Sequence, residues 1–315
     1  MSAAHPPTSS PARPDAAASG DRGREGLAAA LCAYLMWGIL PVYFKLVAKV
    51  DALEILAHRI VWAVPFGVLI ISLRGQRQAV WDALRHPRTL ALLATSAAFI
   101  AINWLVYIRA VLSGNIFQAS LGYYINPLVS VLAGVLFFGE RLNRTQVISV
   151  GLATVGVLVL ATVGRGFPLI SITLALTFTV YGVIRKAIPV GAMPGLFVET
   201  LVLLPVAGIY LASLVAAGTA SLTPEAPGMV LLLLLAGPIT VLPLLLFALA
   251  ARRLPLATLG FVQFLAPTLQ FLMGLLYGES LTLPFTICFA CIWSAVCLFA
   301  FDAWQRRPQA ALSSR

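Results

Sequence analysis

Ile116-Phe-Gln-Ala-Ser-Leu-Gly-Tyr-Tyr-Ile-Asn-Pro-Leu-Val-Ser-Val-Leu-Ala-Gly-Val-Leu-Phe-Phe138 carries no charged residue from end to end. A helix of roughly 20 mostly apolar residues, rising about 1.5 Å each, crosses a bilayer. This stretch therefore reads as a transmembrane helix. The reading repeats on both sides of it, giving ten expected spans at 27–47, 54–73, 89–111, 116–138, 145–163, 169–187, 195–215, 228–250, 256–277 and 283–303. The composition agrees: 60% of residues are hydrophobic and 10% charged, far from the balance of a soluble domain. The expected fold is an all-α polytopic membrane protein.

The connections exclude several functions. They read as short polar turns, the longest lying between the second and third spans and between the seventh and eighth. None can hold a nucleotide-binding domain, and no G-x-x-x-x-G-K-[ST] loop occurs, so an ATP-driven pump is not expected. No H-E-x-x-H or G-x-S-x-G occurs either, leaving a membrane protease or lipase without visible machinery. No cofactor or metal is expected. Cys288-x-x-Cys291 has redox spacing but sits in an apolar span without a βαβ pattern, and it reads as packing together with Cys32 and Cys297. Residues 1–26, rich in Ala, Pro and Ser, read as a disordered cytoplasmic tail. The apolar run after them exceeds the length of a signal-peptide core, so it reads as an uncleaved anchor. Residues 304–315 read as a second cytoplasmic tail.

The net charge of +10 does not signal nucleic acid, because Lys and Arg fall on alternate loops. With the N-terminus inside, the cytoplasmic segments hold 16 of them and the outer side 5: Lys45, Lys49, Arg59, Arg109 and Arg165. The positive-inside rule then places both termini in the cytoplasm of a multi-pass cell-membrane protein. An even number of spans independently puts them on one side.

The chain also echoes itself. Ala119-Ser-Leu-Gly-Tyr123, Pro127 and Gly139-Glu140 recur as Ala257-Thr-Leu-Gly-Phe261, Pro267 and Gly278-Glu279. Fainter echoes pair Trp37-Gly38 with Tyr181-Gly182, and Glu54-Ile-Leu56 with Glu199-Thr-Leu201. The reading is a duplication of five spans, 27–164 and 169–303. An odd number of spans per copy forces the second to enter from the opposite side, which yields inverted repeats with a midplane site between the halves.

The same residues carry a resemblance. Ala33-Tyr-Leu-Met-Trp-Gly38, Glu54-Ile-Leu-Ala-His-Arg59, Ser120-Leu-Gly-Tyr-Tyr-Ile-Asn-Pro127, Phe138-Gly-Glu-Arg141, Tyr181-Gly182 with Arg185-Lys186, and Leu259-Gly-Phe261 with Pro267 resemble the drug/metabolite transporter superfamily with its paired EamA modules. Within it the chain is most similar to the RarD branch. The resemblance covers all but the tails. It implies a ten-helix inner-membrane permease that exports drugs or metabolites.

Ionisable groups inside spans are functional candidates by default because they are costly there. Glu54, His58 and Arg59 form the densest cluster, with Glu54 and His58 four apart on one helix face. One reading is proton coupling or anion docking; the other is an interfacial cluster with Arg59 snorkelling to headgroups. Glu199 reads either as a partner of Arg185 and Lys186 or as a substrate or proton ligand. Asn126 beside Pro127, and Gln263 near Pro267, are expected mid-helix at proline bends, where an amide can face a cavity or bond another helix. Asn103 and Tyr107 on the third span share that choice. Tyr34, Trp37, Tyr123, Tyr181 and Phe264 are candidate cavity aromatics, each also readable as packing. Gly274-x-x-x-Gly278 reads as a helix-packing notch, and Glu140 as structural.

The expectation is a secondary transporter of small organic molecules acting by alternating access, and exporting them. Its partners are a small-molecule substrate, the lipid bilayer and protons as a coupling ion. The alternative class is a membrane enzyme or lipid-handling protein. A channel would need a continuous polar stripe or charge ring, and none is visible.

Overall fold

Long apolar runs become helices because a backbone in lipid must satisfy its own hydrogen bonds. The computed structural model describes residues 16–138, 142–163, 167–223, 226–254, 258–259 and 262–305, and all regular structure among them is helical. In chain order the helices are α1 (Ala16–Gly38), α2 (Leu40–Leu46), α3 (Ala52–Leu73), α4 (Arg77–Arg85), α5 (Pro87–Leu112), α6 (Ile116–Phe138) and α7 (Arg144–Val163). Then come α8 (Leu169–Ala187), α9 (Ala192–Ala216), α10 (Pro227–Leu234), α11 (Ala236–Ala251), α12 (Leu265–Leu276) and α13 (Leu283–Gln305).

Among the described residues, eight stretches are long and apolar enough to span a membrane. They are α3, α5, α7, α8, α9, most of α13, and two compound stretches, Gly23–Leu46 and Pro227–Ala251. The apolar 23-residue α6 coincides with the expected fourth span, and the 12-residue α12 lies within the expected ninth. Leu73, Val206, Ile209 and Leu276 are each more than 70% exposed. Large side chains left bare in this number suit contact with lipid rather than water. The chain is a multi-pass membrane protein.

Several expectations need correction. The first span is not one helix: it breaks at Ile39, just before Pro41, whose missing N–H and ring disfavour continuation. The eighth span breaks at Leu235 into α10 and α11. The second connection is not a plain polar turn but the amphipathic α4, which buries Val80 and Ala83 and stacks Arg85 on Trp81 at 4.7 Å. In the ninth span the described residues 258–259 and 262 are helical, a turn follows at 263–264, and α12 begins at Leu265. Pro267 thus lies in the first turn of α12, four residues after Gln263, whose carbonyl its missing N–H cannot bond. Gln263 sits in that turn rather than mid-helix. Pro127 does lie inside α6. Gly139, Glu140, Arg141, Ala257, Gly260 and Phe261 of the repeat lie outside the described residues.

The principal packing joins α7 to α13, α6 to α8 and α12, α1 to α11 and α12, α5 to α8 and α9, and α3 to α9 and α11. Every one of these pairs takes one helix from α1–α7 and one from α8–α13. Glycines permit the closest crossings. A Cβ on Gly237 of α11 would overlap the Trp62 carbonyl of α3, and one on Gly156 of α7 would press on Cys288 and Cys291 of α13. The four cysteines are free, and Cys288 and Cys291 serve as small packing surfaces. Gly274 receives the Phe117 ring, which is the packing notch expected of it, while Gly278 ends α12 with φ 79°.

Candidate functional site

The second span begins with a cap. Asp51 accepts the Leu53 amide at 2.8 Å, and α3 runs on from there. That start fixes the rotation of Glu54, His58 and Arg59, all of which are buried.

The three do not act as one cluster. Glu54 accepts from both the backbone N–H (2.7 Å) and the hydroxyl (2.8 Å) of Ser221, in the loop between α9 and α10. His58 Nε2 stands 3.8 Å from Glu54, too far for a hydrogen bond. His58 Nδ1 accepts the Trp62 indole N–H at 3.2 Å. An indole nitrogen only donates, so His58 in this arrangement is the neutral tautomer with its proton on Nε2.

Arg59 turns away from both. Its Nε donates to Thr240 Oγ1 of α11 at 3.0 Å. Its guanidinium lies over the Trp104 ring at 4.7 Å and the Phe44 ring at 5.6 Å. Its Nη1 is buried without a hydrogen-bond partner among the described residues, and so are His58 Nε2 and the Tyr107 hydroxyl. Arg59, Trp104 and Thr240 line one part of a cleft between α3, α9 and α11 that extends past Ala63, Gly67 and Phe197 to Ile71 and Met193. Arg59 is 5% exposed, with its side chain packed inside the protein rather than extended along the surface.

The other candidates divide by partner. Asn103 is saturated: its Nδ2 donates to Leu174 O and Thr177 Oγ1, both at 2.9 Å, and its Oδ1 accepts from Tyr123 at 3.1 Å. Asn126 accepts from Thr179 Oγ1 at 3.1 Å. These amides tie α5 and α6 to α8. Tyr107 packs edge-on against Phe44 and Tyr123. Glu199 accepts from Ser96 of α5 at 2.5 Å and from Tyr181 at 3.5 Å, with Arg185 Nε at 3.7 Å. Arg185 also lies where any side chain on Gly195 would go. Tyr34 and Trp37 pack with Phe247 of α11, and Phe264 stacks on Tyr124. None of Tyr34, Trp37, Phe264 and Gln263 lines the Arg59 cleft.

Thr240, Ser96, Ser221 and Gln270 escaped the sequence reading. Gln270 is 3% exposed and donates to the Trp37 carbonyl at 3.1 Å. Each is a polar residue in or beside an apolar run, which is a signal, but none is charged. Gln263 drew notice through its proximity to the repeat motif, yet Gln270 is the glutamine that bridges helices.

Two carboxylate contacts at loops link α1–α7 to α8–α13. Glu54 holds Ser221, while Glu279 accepts the Ile116 N–H and the Phe117 N–H (2.8 Å) at the start of α6. A carboxylate suits that helix start because its first amides lack intrahelical partners.

Comparison with known proteins places these features among relatives. The EamA-like transporter family profile matches residues 24–162. "Protein RarD" of Salmonella typhi is 46% identical over 281 residues, covering 89% of this chain and 96% of the relative. An "Uncharacterized transporter" of Vibrio cholerae is 45% identical, covering 89% and 93%. The "Chloramphenicol-sensitive protein RarD" of Pseudomonas aeruginosa is 35% identical, covering 89% and 94%. One crystal structure superposes with a TM-score of 0.57 at 18% identity, covering 92% of this chain and 99% of the other, a likeness of fold alone.

Proposed function

The chain belongs to the RarD-type permeases of the drug/metabolite transporter superfamily, and from that premise we infer that it is a secondary transporter that moves small organic molecules outward by alternating access. It does so through two halves, α1–α7 and α8–α13, that carry ten spans as inverted repeats. It sits in the inner membrane with both termini cytoplasmic.

The observation that carries this reading is the symmetry of the packing. Exchanging the halves span for span turns α6–α8 into α12–α1, α1–α11 into α8–α5, and α3–α11 into α9–α5, each a pair that is present. The pairs α7–α13, α3–α9 and α6–α12 map onto themselves. Two bundles related this way can trade conformations, which is what alternating access requires. The state is closed on the outer side, where Glu54–Ser221 and Glu279–α6 bridge the halves, while the cleft runs from Arg59 to the opposite ends of α3 and α9.

Proteoliposomes preloaded with a small-molecule cell extract test the function. A transporter gives protein-dependent, saturable loss of particular compounds, and counterflow when those compounds are supplied outside. Loss without saturation or counterflow would point to a channel. Chemical conversion of lipid or solute would point to an enzyme.

Proton coupling through His58 is a second reading, favoured by its buried, unpartnered Nε2 beside Glu54. Accepting a second proton requires Nδ1 to release Trp62. Under this reading His58→Gln flattens the pH dependence of flux at equal membrane levels; an unchanged profile removes the reading.

A further inference from the structure

Arg59 is a cation whose charge no group among the described residues balances. Among the described residues no carboxylate lies within ion-pair distance of it. Glu54, five residues earlier, uses both oxygens on Ser221. Thr240 occupies Nε, and Nη1 remains buried and unpartnered. The faces of Trp104 and Phe44 offset part of the desolvation cost but accept no hydrogen bond from Nη1. A solitary buried charge is expensive unless a counter-charge arrives. The group that best fits a guanidinium edge is a carboxylate, whose two oxygens match parallel N–H donors.

The rest of the cleft gives the walls for the other half of the ligand; its cavity volume is about 20 Å³ in this state, so the halves must part to admit that body. Ala63, Gly67, Met193, Phe197 and Val241 offer apolar walls, with Trp104 beside the cation. Resting on the transporter reading above, we propose that the substrates are small organic monoanions: a carboxylate docks on the Nη1 edge of Arg59, and an apolar or aromatic body lies along Trp104 and the α3–α9 wall. One unbalanced charge accommodates one anionic group, so dianions and amines are disfavoured.

The test uses the full chain in nanodiscs of uncharged lipid at low chloride and constant pH. The probes are benzoate, phenylacetate and hexanoate, each beside its uncharged amide, with benzylamine and sodium chloride as separate arms. Ligands that bind the folded state raise Tm with concentration. The carboxylates are expected to do so, and the amides and benzylamine not. Arg59→Gln should weaken carboxylate binding by about tenfold or more, the effect of losing one charge-assisted contact. Arg59→Lys should fall between the two. Ligand-free Arg59→Gln should keep the wild-type Tm or exceed it, since an unbalanced charge is removed.

The wild-type acid-against-amide comparison needs no variant. Equal responses to acid and amide overturn the proposal, as do no response to any of the three acids and wild-type affinity in Arg59→Gln. Chloride reproducing the carboxylate shift would make this an inorganic-anion site and overturn it too. If amides or benzylamine are carried in proteoliposomes while the acids are not, the substrate class falls and the transporter stands. Arg59-dependent benzoate binding without any saturable flux would sink the transporter and leave the anion site.

Discussion

Arg59 on α3 and Thr240 on α11 meet at 3.0 Å across 181 residues of chain, so this hydrogen bond of the cleft cation also joins α1–α7 to α8–α13. Thr240 relays that contact to its own helix, donating to the Ala236 carbonyl at 2.8 Å. Removing the hydroxyl while keeping the shape isolates the bond. Thr240→Val is expected to destabilise by about 1–3 kcal/mol, because Nε becomes a second buried donor without an acceptor. Thermal unfolding in nanodiscs measures this. An unchanged Tm would mean that the contact contributes nothing.

Glu199 is the other buried carboxylate that links elements, and here partners are plentiful. Ser96, Tyr181 and Arg185 all converge on it. Glu199→Ala should cost about 1.5–3 kcal/mol, the scale of a hydrogen bond to a charged group. Glu199→Gln, which keeps an acceptor for Ser96, should recover part of that. A role in substrate handling predicts something different: wild-type Tm with lost flux.

Gly237 and Gly182 make a matched pair. A methyl at Gly237 meets the Trp62 carbonyl, whereas one at Gly182 meets nothing within 4 Å. Gly237→Ala must push α11 from α3 and should cost about 1–3 kcal/mol as overpacking does. Gly182→Ala should be neutral or mildly stabilising, since Ala favours helix over Gly. Equal effects on Tm would contradict the α3–α11 crossing.

Glu279 lies outside the spans, against the start of α6. Burial pushes its carboxyl above the ordinary glutamate value, while the Phe117 and Ile116 amides and the charge of Lys45 pull it back. A carboxyl raised in the folded state contributes stability that is full below its unfolded value. That stability fades as pH climbs through the folded value. The wild-type Tm should therefore decline with rising pH over that window relative to Glu279→Gln, which cannot titrate. Parallel Tm profiles for the two proteins would show that the contact is insensitive to this charge.

Much of the fold was legible because a bilayer imposes a length on every span. The expected 169–187 is α8 itself, and 283–303 falls within α13. Breaks within apolar runs were not read, although a signal was present. Leu235 is as apolar as its neighbours, but Gly237-Pro238 follow it, and Pro238 has no N–H to bond the Leu234 carbonyl where α10 gives way to α11. Charge made Arg59 and Glu199 stand out. The partners that decide their roles, Thr240 and Ser96, are neutral residues 181 and 103 positions away, and single-chain periodicity carries no signal at that range. Pro267 was expected within a continuous helix; it lies instead in the first turn of α12, which begins at Leu265 after the turn at 263–264.

Alternating access between two related halves is the central claim, and paired distances test it most directly. In a cysteine-free background, spin labels at Ser113 and Leu281 flank the Glu279 contact, and labels at Arg74 and Ala192 flank the opposite ends of α3 and α9. Pulsed dipolar spectroscopy in nanodiscs, with and without benzoate, should show two populations for each pair, the outer distance lengthening in the state where the inner one shortens. A single fixed outer distance under all conditions, in protein that still carries out saturable flux, would contradict the account.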